Sequence, residues 1–354
     1  MKRLGLLIVF LMLVAAAGSG FLYLRTHEPY RGFSGAEQFV DIPPGASTRT
    51  IGDLLVAAGV VRDPVTYRLA LWMSGRARLL KAGEYRFEQP MTPLDVIGKL
   101  ARGEAYIVRV TFPEGLTMGE MAAIFETHGL GTAAEFVEAA KDGSLVRTLD
   151  PMARNLEGYL FPDTYAVSRH ADAASLVHLM VDQFKRELTR DLQVAIAARG
   201  LSLREVVTLA SIVEKETARP EERPVVAAVY ENRLRLGMAL QCDPTVIYAL
   251  QAKGKYTGNL RREDLTLDSP YNTYRYAGLP PGPIAAPGKA ALEAAAHPAM
   301  VQFLYFVSRN DGSHEFAQTL HEHNQNVQKY QVQYFRDRRS GGSGRSGRSS
   351  VPPT

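Results

Sequence analysis

Cysteine is almost absent: Cys242 is the one thiol in 354 residues. No internal disulfide can form, and the scarcity is compatible with an oxidising compartment without establishing one. Strong charge of either sign is also missing. Lys and Arg number 41 against 37 Asp and Glu, a formal net charge of +4. Much of that excess sits near the C-terminus, in Arg336, Arg338, Arg339, Arg345 and Arg348. Without a basic stripe interleaved with aromatics, nucleic acid is a poor partner. No glycine-rich phosphate cradle is present, and Ser211 lacks the flanking glycines of a nucleophile elbow. His321 and His323 have His-x-His spacing, but no matching Cys, His or Asp pattern accompanies them, and Glu322 is expected to face solvent. No metal and no cofactor is expected.

What is there is the composition of a globular protein, 46% hydrophobic and 22% charged. The length suggests two or three domains with an ample core. Lys2-Arg3 precede an uncharged run from Leu4 to Leu24. About 21 residues at about 1.5 Å each span about 32 Å, enough to cross a bilayer. The leading positive charges favour a cytoplasmic N-terminus, with everything after Arg25 outside. A signal peptide cleaved near Ala15-Ala16-Ala17 is the rival. The apolar run continues past those alanines, which favours an uncleaved, single-pass inner-membrane anchor. The expected organisation is therefore 1–3 cytoplasmic, 4–24 transmembrane, 25–37 linker, 38–107 a small module, 108–335 a catalytic domain, and 336–354 a disordered Ser/Gly/Arg tail.

An internal repeat organises the first half. Val40-Asp-Ile-Pro-Pro-Gly-Ala-Ser47 superimposes without a gap on Val110-Thr-Phe-Pro-Glu-Gly-Leu-Thr117, an offset of 70. The match continues with Ile51 on Met121, Leu54 on Ile124, Leu55 on Phe125 and Gly59 on Gly129. Each copy reads as a short strand, a Pro-x-Gly turn and a helix opened by a hydroxyl residue, Thr117 and Glu120 having capping-box spacing. Between the copies, Tyr67–Leu80 and Pro90–Leu100 read as helices and Gly83–Phe87 as a strand. Strand-helix-helix-strand units of this size resemble LysM modules, which bind amino-sugar polymers. A purely structural spacer fits the pattern equally.

The second half centres on Leu209-Ala-Ser-Ile-Val-Glu-Lys-Glu-Thr217. A helix is expected from Leu201 to Thr217, stopped by Arg219-Pro220. With Glu216 at zero on a wheel of about 100° per residue, Leu209, Val213, Val206 and Ala210 fall at about 20°, 60°, 80° and 120°. Glu216 thus lies inside the apolar stripe, while Glu214, at about 160°, points away from its centre. Desolvation of a carboxyl with a free pKa of about 4.3 turns it into a proton donor near neutrality. Taken alone, a capping or salt-bridged Glu is the commoner outcome. Elsewhere, Glu157-Gly-Tyr-Leu-Phe-Pro-Asp-Thr-Tyr165 reads as an aromatic corner packed in the core, a carbohydrate site being the alternative. Val225–Leu236 reads as a helix and Phe303–Val307 as a buried strand. A last helix is expected to end near Phe335. The Pro/Gly-dense loops after Gln241 and Ser269 suggest rigid ligand-shaped turns.

These motifs carry a resemblance. Leu209–Thr217, Asn232-Arg-Leu-Arg-Leu-Gly237, Gln241-Cys-Asp-Pro-Thr245, Tyr271-Asn-Thr-Tyr274 and Gly278-Leu-Pro-Pro-Gly282 closely resemble the MltG/YceG family. Ala296-His-Pro298, Tyr305-Phe306 and His323-Asn324 also match it. Cys242 departs from the small polar residue expected there, without altering the expected chemistry. The resemblance implies an α+β fold with a transmembrane helix, a LysM-like module and a larger mixed α/β catalytic domain. It implies cleavage of the MurNAc-GlcNAc β-1,4 bond of peptidoglycan with closure of a 1,6-anhydro end, and work beside cell-wall synthases. One acid suffices for that reaction, because no water or covalent intermediate must be handled. Glu216, followed by Thr217 as in the Glu-Ser pair of related lytic transglycosylases, is the expected acid and then base. Glu214 is the fallback. Gln241, Asp243, Thr245, Asn272 and Tyr274 are expected to hold sugar hydroxyl and acetamido groups, with turn scaffolding as their alternative. An anchored glycan-binding scaffold and a muramidase-type hydrolase remain as alternatives. The pairing of Glu214 with Glu216 as two hydrolytic carboxylates is disfavoured, since helix positions two apart face different ways.

Overall fold

The computed structural model describes residues 2–336; most of the Ser/Gly/Arg tail expected to be disordered therefore lies outside the described residues. Arg336 itself is helical. The chain divides into two compact units, one made of residues up to Arg109 with Ala166–His170, the other of Val110–Tyr165 with the chain from Ala171 onward.

The first unit contains α1 (Lys2–His27), β1 (Gln38–Ile42), α2 (Thr48–Ala57), α3 (Pro64–Ser74), β2 (Gly83–Phe87) and α4 (Pro93–Arg102). Strands β1 and β2 pair antiparallel with Val40 opposite Tyr85. Their inward residues Val40, Ile42, Tyr85 and Phe87 share one core with Ile51, Leu55, Tyr67, Val96 and Leu100. Each helix starts where the sequence supplies a cap. Ser47 Oγ accepts from the Thr50 amide at 3.1 Å, and Asp63 Oδ1 accepts from Val65 and Thr66 at 3.0 and 2.9 Å, with Pro64 at the first helical position. Within α1, Ile8–His27 is long and apolar enough to cross a membrane. The helix runs on through Arg25, Thr26 and His27, where a linker was expected.

The second unit is mostly helical: α5 (Met118–Thr127), α6 (Ala133–Ala140), α7 (Ala173–Glu187), α8 (Arg190–Ala198), α9 (Leu203–Glu216), α10 (Arg223–Arg235), α11 (Asp243–Ala252), α12 (Lys289–Ala296) and α13 (Leu320–Val327). The chain passes from one unit to the other within β3 (Val108–Thr111) and again within β4 (Thr164–Val167), and in the second unit β5 (Tyr305–Ser308) pairs with β6 (His314–Ala317). The repeat is built twice with the same local geometry. Gly45 and Gly115 have φ of 76° and 78°, and Gly59 and Gly129 both have 68°. At α5 the box closes, Thr117 Oγ1 accepting from the Glu120 amide and Glu120 Oε2 from the Thr117 amide.

Helix α9 opens on a capping box between Ser202 and Glu205 and packs against α10, α11 and α12. The wheel foresaw one apolar stripe. Instead every residue from Val206 to Val213 is buried, because neighbours cover the helix on several sides. Ser211 is part of that packing: its Oγ donates to Thr208 O at 2.7 Å and accepts from the Ile284 amide at 3.0 Å. The expected buried strand at Phe303–Val307 is a half-buried hairpin strand, Tyr305–Ser308, since a two-stranded sheet leaves its faces partly uncovered. The last helix passes into a wider π-helical turn at Gln328–Gln333.

The aromatic corner is core: Tyr159, Leu160, Phe161 and Tyr165 are buried. Glu157 beside them accepts from the Met118 amide at 2.9 Å and from Tyr248 Oη at 3.3 Å, and burial pushes its pKa up to about 7. A group that binds its proton more tightly when folded stabilises at low pH and loses that contribution as pH rises from its unfolded value towards 7. Glu157→Gln is expected to abolish that part of the pH slope, up to about 3 kcal/mol, in denaturant titrations at pH 4.5 and 8. Gly158 has φ of 81°, and a Cβ there would run into Pro283 and Val207. Gly158→Ala is expected to cost about 2–4 kcal/mol in the same assay.

Candidate active site

Helix α9 ends at Glu216, and Thr217 turns extended at φ −139°. Thr217 Oγ1 then donates to Glu222 Oε2 at 3.2 Å, and the Glu222 carboxylate is also held by the His314 amide and imidazole at 2.9 and 2.7 Å. Glu216 therefore leaves the helix at a fixed point, against a cavity of about 310 Å³. Its floor and walls include Tyr230, Arg233, Gln241, Asp243, Tyr274, Phe306 and His323.

Two donors converge on one oxygen of Glu216. Tyr230 Oη, carried by α10, donates to Oε1 at 2.6 Å. The Cys242 thiol, at the start of α11, donates to the same atom at 3.1 Å. No hydrogen bond to Oε2 occurs among the described residues, and the half-buried carboxyl keeps that oxygen as its unengaged end. Burial raises the pKa of Glu216, the two donors pull it back, and the Asp243 charge adds to the rise. The site thus holds a carboxyl group with one fixed and one open oxygen.

Asp243 and Tyr274 face the same cavity and bond each other, Tyr274 Oη donating to Asp243 Oδ1 at 2.6 Å. Gln241 lines it too, from a left-handed backbone at φ 51° that a non-glycine residue adopts only under constraint. Its amide donates to Thr273 O at 3.2 Å, tying the loop down. Thr245 and Asn272 do not reach the cavity. Thr245 Oγ1 donates to Cys242 O at 2.7 Å. Asn272 is fully buried, its Nδ2 donating to Leu265 O and Leu267 O and its Oδ1 accepting from the Tyr274 amide. Both fix loop backbone, and Asn272 thereby positions Tyr274.

Glu214 points elsewhere. Its Oε1 accepts from Arg223 at 2.7 Å and its Oε2 from the Gly288 amide at 3.0 Å. Burial raises its pKa while that amide and Arg223 oppose the rise. Side chains of both partners are under a tenth exposed, so this is a buried ion pair.

Sequence reasoning missed Tyr230, Arg233, Phe306 and His323 as cavity residues, although Tyr305-Phe306 and His323-Asn324 stood among the family motifs. Arg233 donates from Nε to Leu304 O at 2.6 Å and from a terminal nitrogen to Leu240 O at 2.8 Å, so it fastens the β5 segment to the Gln241 loop. Burial, helped by the Arg233 charge, lowers the pKa of His323, which stacks on Tyr305 at 5.2 Å. Cys242, expected to be chemically silent, touches the acid itself. His321 bonds Gln325 on the exposed side of α13. Among the described residues no group of three or more His, Cys, Asp or Glu is placed to hold a metal.

The two carboxylates should separate in stability measurements. Arg223→Ala leaves Glu214 charged and buried, and is expected to destabilise by about 3 kcal/mol or more. Glu216→Gln removes a buried group that resists ionisation, and is expected to leave stability at pH 7.5 unchanged or raised. Chemical denaturation of the two variants gives both values.

The YceG-like family matches residues 40–329. An endolytic murein transglycosylase of Bacillus subtilis is 31% identical over 337 residues, spanning 88% of this chain and 90% of that protein. One from Streptococcus pneumoniae is 31% identical over 357 residues, or 91% of this chain but 64% of the longer relative. A crystallised YceG-like protein of Listeria monocytogenes superimposes with a TM-score of 0.56 at 29% identity, covering 82% of this chain and 99% of its own. Family match, identity and fold agree: this chain belongs to the YceG-like family.

Proposed function

We propose that the chain is an endolytic murein transglycosylase in which Glu216 acts as acid and then as base. The observation that carries this reading is the Glu216 carboxyl, its pKa raised by burial, with Oε1 held by Tyr230 and Cys242 and Oε2 open beside a cavity. The Oε2 proton passes to the oxygen of the MurNAc-GlcNAc linkage as the C1–O bond breaks. Positive charge grows at C1, and the Asp243 carboxylate across the cavity stabilises it. The muramoyl C6 hydroxyl closes on C1 and returns its proton to Glu216, so no water is consumed. During the interval the Tyr230 hydroxyl and the Cys242 thiol stabilise the transient carboxylate on Oε1. Gln241 and Tyr274 hold the sugar.

The strand-helix-helix-strand order of β1, α2, α3 and β2 supports a LysM-like reading of that unit, with glycan as its ligand. The apolar span of α1 supports a single-pass anchor that leaves the remainder outside the cell membrane. Cell-wall synthases are the partners the family resemblance implies. Asp243 in the same cavity keeps the hydrolase as a second reading, since a hydrolase needs two carboxylates about one bond.

Mass spectrometry of ends released from purified glycan strands decides between them: the transglycosylase leaves an anhydro end lighter by one water than the hydrolytic product. Glu216→Gln is expected to lower the rate by about 10²–10⁴ with glycan binding retained; an unchanged rate removes Glu216 from the mechanism. The protonated acid is the active form, so activity falls as pH rises through the Glu216 pKa. The Tyr230 hydrogen bond lowers that pKa, so Tyr230→Phe is expected to move the alkaline limb of kcat/KM to higher pH.

A further inference from the structure

The largest unexplained exposed side chain in the first unit is Trp72, 79% accessible on α3. It is not isolated. Val65, Leu69 and Trp72 recur at i, i+4 and i+7, which places them on one face of the helix. Val65 is exposed and Leu69 half-exposed. The opposite face, Thr66, Tyr67, Ala70 and Leu71, is buried in the core of the unit. The apolar stripe therefore looks away from that core. Arg68 lies beside it, and Arg76 and Arg78 follow the helix; all three are exposed, and none forms an ion pair among the described residues.

The orientation of α3 to α1 is fixed by two contacts within the same unit. Arg25 Nη1 meets Asp63 Oδ2, at the start of α3, at 3.1 Å. Thr26, fully buried, has its Oγ1 3.8 Å from Met73 Sδ, near the end of α3. Asp63 and Met73 are about 15 Å apart along a helix, yet their partners are adjacent residues in the last turns of α1. A helix running alongside α1 would meet residues far apart on it. Helix α3 instead lies across the end of α1, where the apolar span stops at His27.

We propose that the Val65–Leu69–Trp72 face of α3 rests in the headgroup–acyl boundary of the leaflet that α1 leaves, making α3 an interfacial helix rather than a solvent-facing one. This rests on the reading of α1 as a membrane anchor. Tryptophan prefers that boundary, and the unpaired Arg68, Arg76 and Arg78 match an anionic lipid surface. The first unit is then held at the membrane by a surface as well as a tether, which fixes its height above the bilayer.

Trp72 is the one tryptophan in the chain, so intrinsic fluorescence reads this face directly. The full-length protein is placed in nanodiscs of anionic lipid with plain or brominated acyl chains, and integration is checked by resistance to alkaline extraction. Expected are emission blue-shifted from that of free N-acetyltryptophanamide in buffer and a loss of about half the intensity or more in brominated discs. Water-like, unquenched emission from an integrated chain overturns the interfacial helix and leaves the anchor standing. Extraction of the chain by alkali overturns the anchor and the proposal with it. The double variant Val65→Asp, Leu69→Asp is expected to stay integrated and recover the lost emission; quenching that persists in it overturns the assignment to this face.

Discussion

A carboxyl group that the fold withdraws from water while leaving one of its oxygens open is the constraint on which the second unit turns. The free energy of ionising Glu216 is raised by burial and trimmed by two hydrogen bonds, both to the same atom. That asymmetry matters more than the size of the shift. Donors on Oε1 fix the plane of the group and leave Oε2 free, the oxygen from which the proposed reaction would deliver its proton. A carboxyl caught symmetrically would be as buried and far less useful.

Holding such a group needs a rigid surround, and the structure supplies it with polar contacts that lie, Arg233 apart, away from the cavity wall. Arg223 and Glu214 form a buried pair whose second oxygen binds the Gly288 amide, joining α9, α10 and the start of α12. Arg233 ties the β5 segment to the Gln241 loop through carbonyl groups. Asn272 closes the loop that carries Tyr274. Glu222 bridges Thr217 to His314 on β6. Each of these groups would be costly if orphaned, and together they leave the cavity wall one arrangement.

The elements were legible in the sequence where local chemistry sets them. The caps at Ser47, Thr117 and Ser202, the positive-φ glycines of the repeat and the stop after Glu216 all follow from neighbours in the chain. The direction of Glu216 was legible for a related reason, since a wheel reports which side of one helix a residue takes. What was not legible depends on other helices. The complete burial of Val206–Val213 comes from the helices packed around α9, and Tyr230 reaches Glu216 from α10. Thr245 and Asn272 sit beside cavity residues in sequence, yet their hydrogen bonds go to backbone, and no spacing rule separates those two uses of a polar turn. Cys242 stands out in the sequence only as a departure from a small polar residue, because a thiol at a turn has no pattern of its own; its distance from Glu216 is what gives it meaning.

The most direct test is the ionisation of Glu216 itself. Carboxyl ¹³C NMR of glutamate-labelled protein, with the Glu216 signal identified by its loss in Glu216→Gln, follows that single group through pH. The account predicts a midpoint clearly above the ordinary value of 4.5, so that the acid keeps its proton in the absence of substrate. A midpoint at or below 4.5 contradicts it, because a carboxylate already ionised has no proton to give the leaving oxygen.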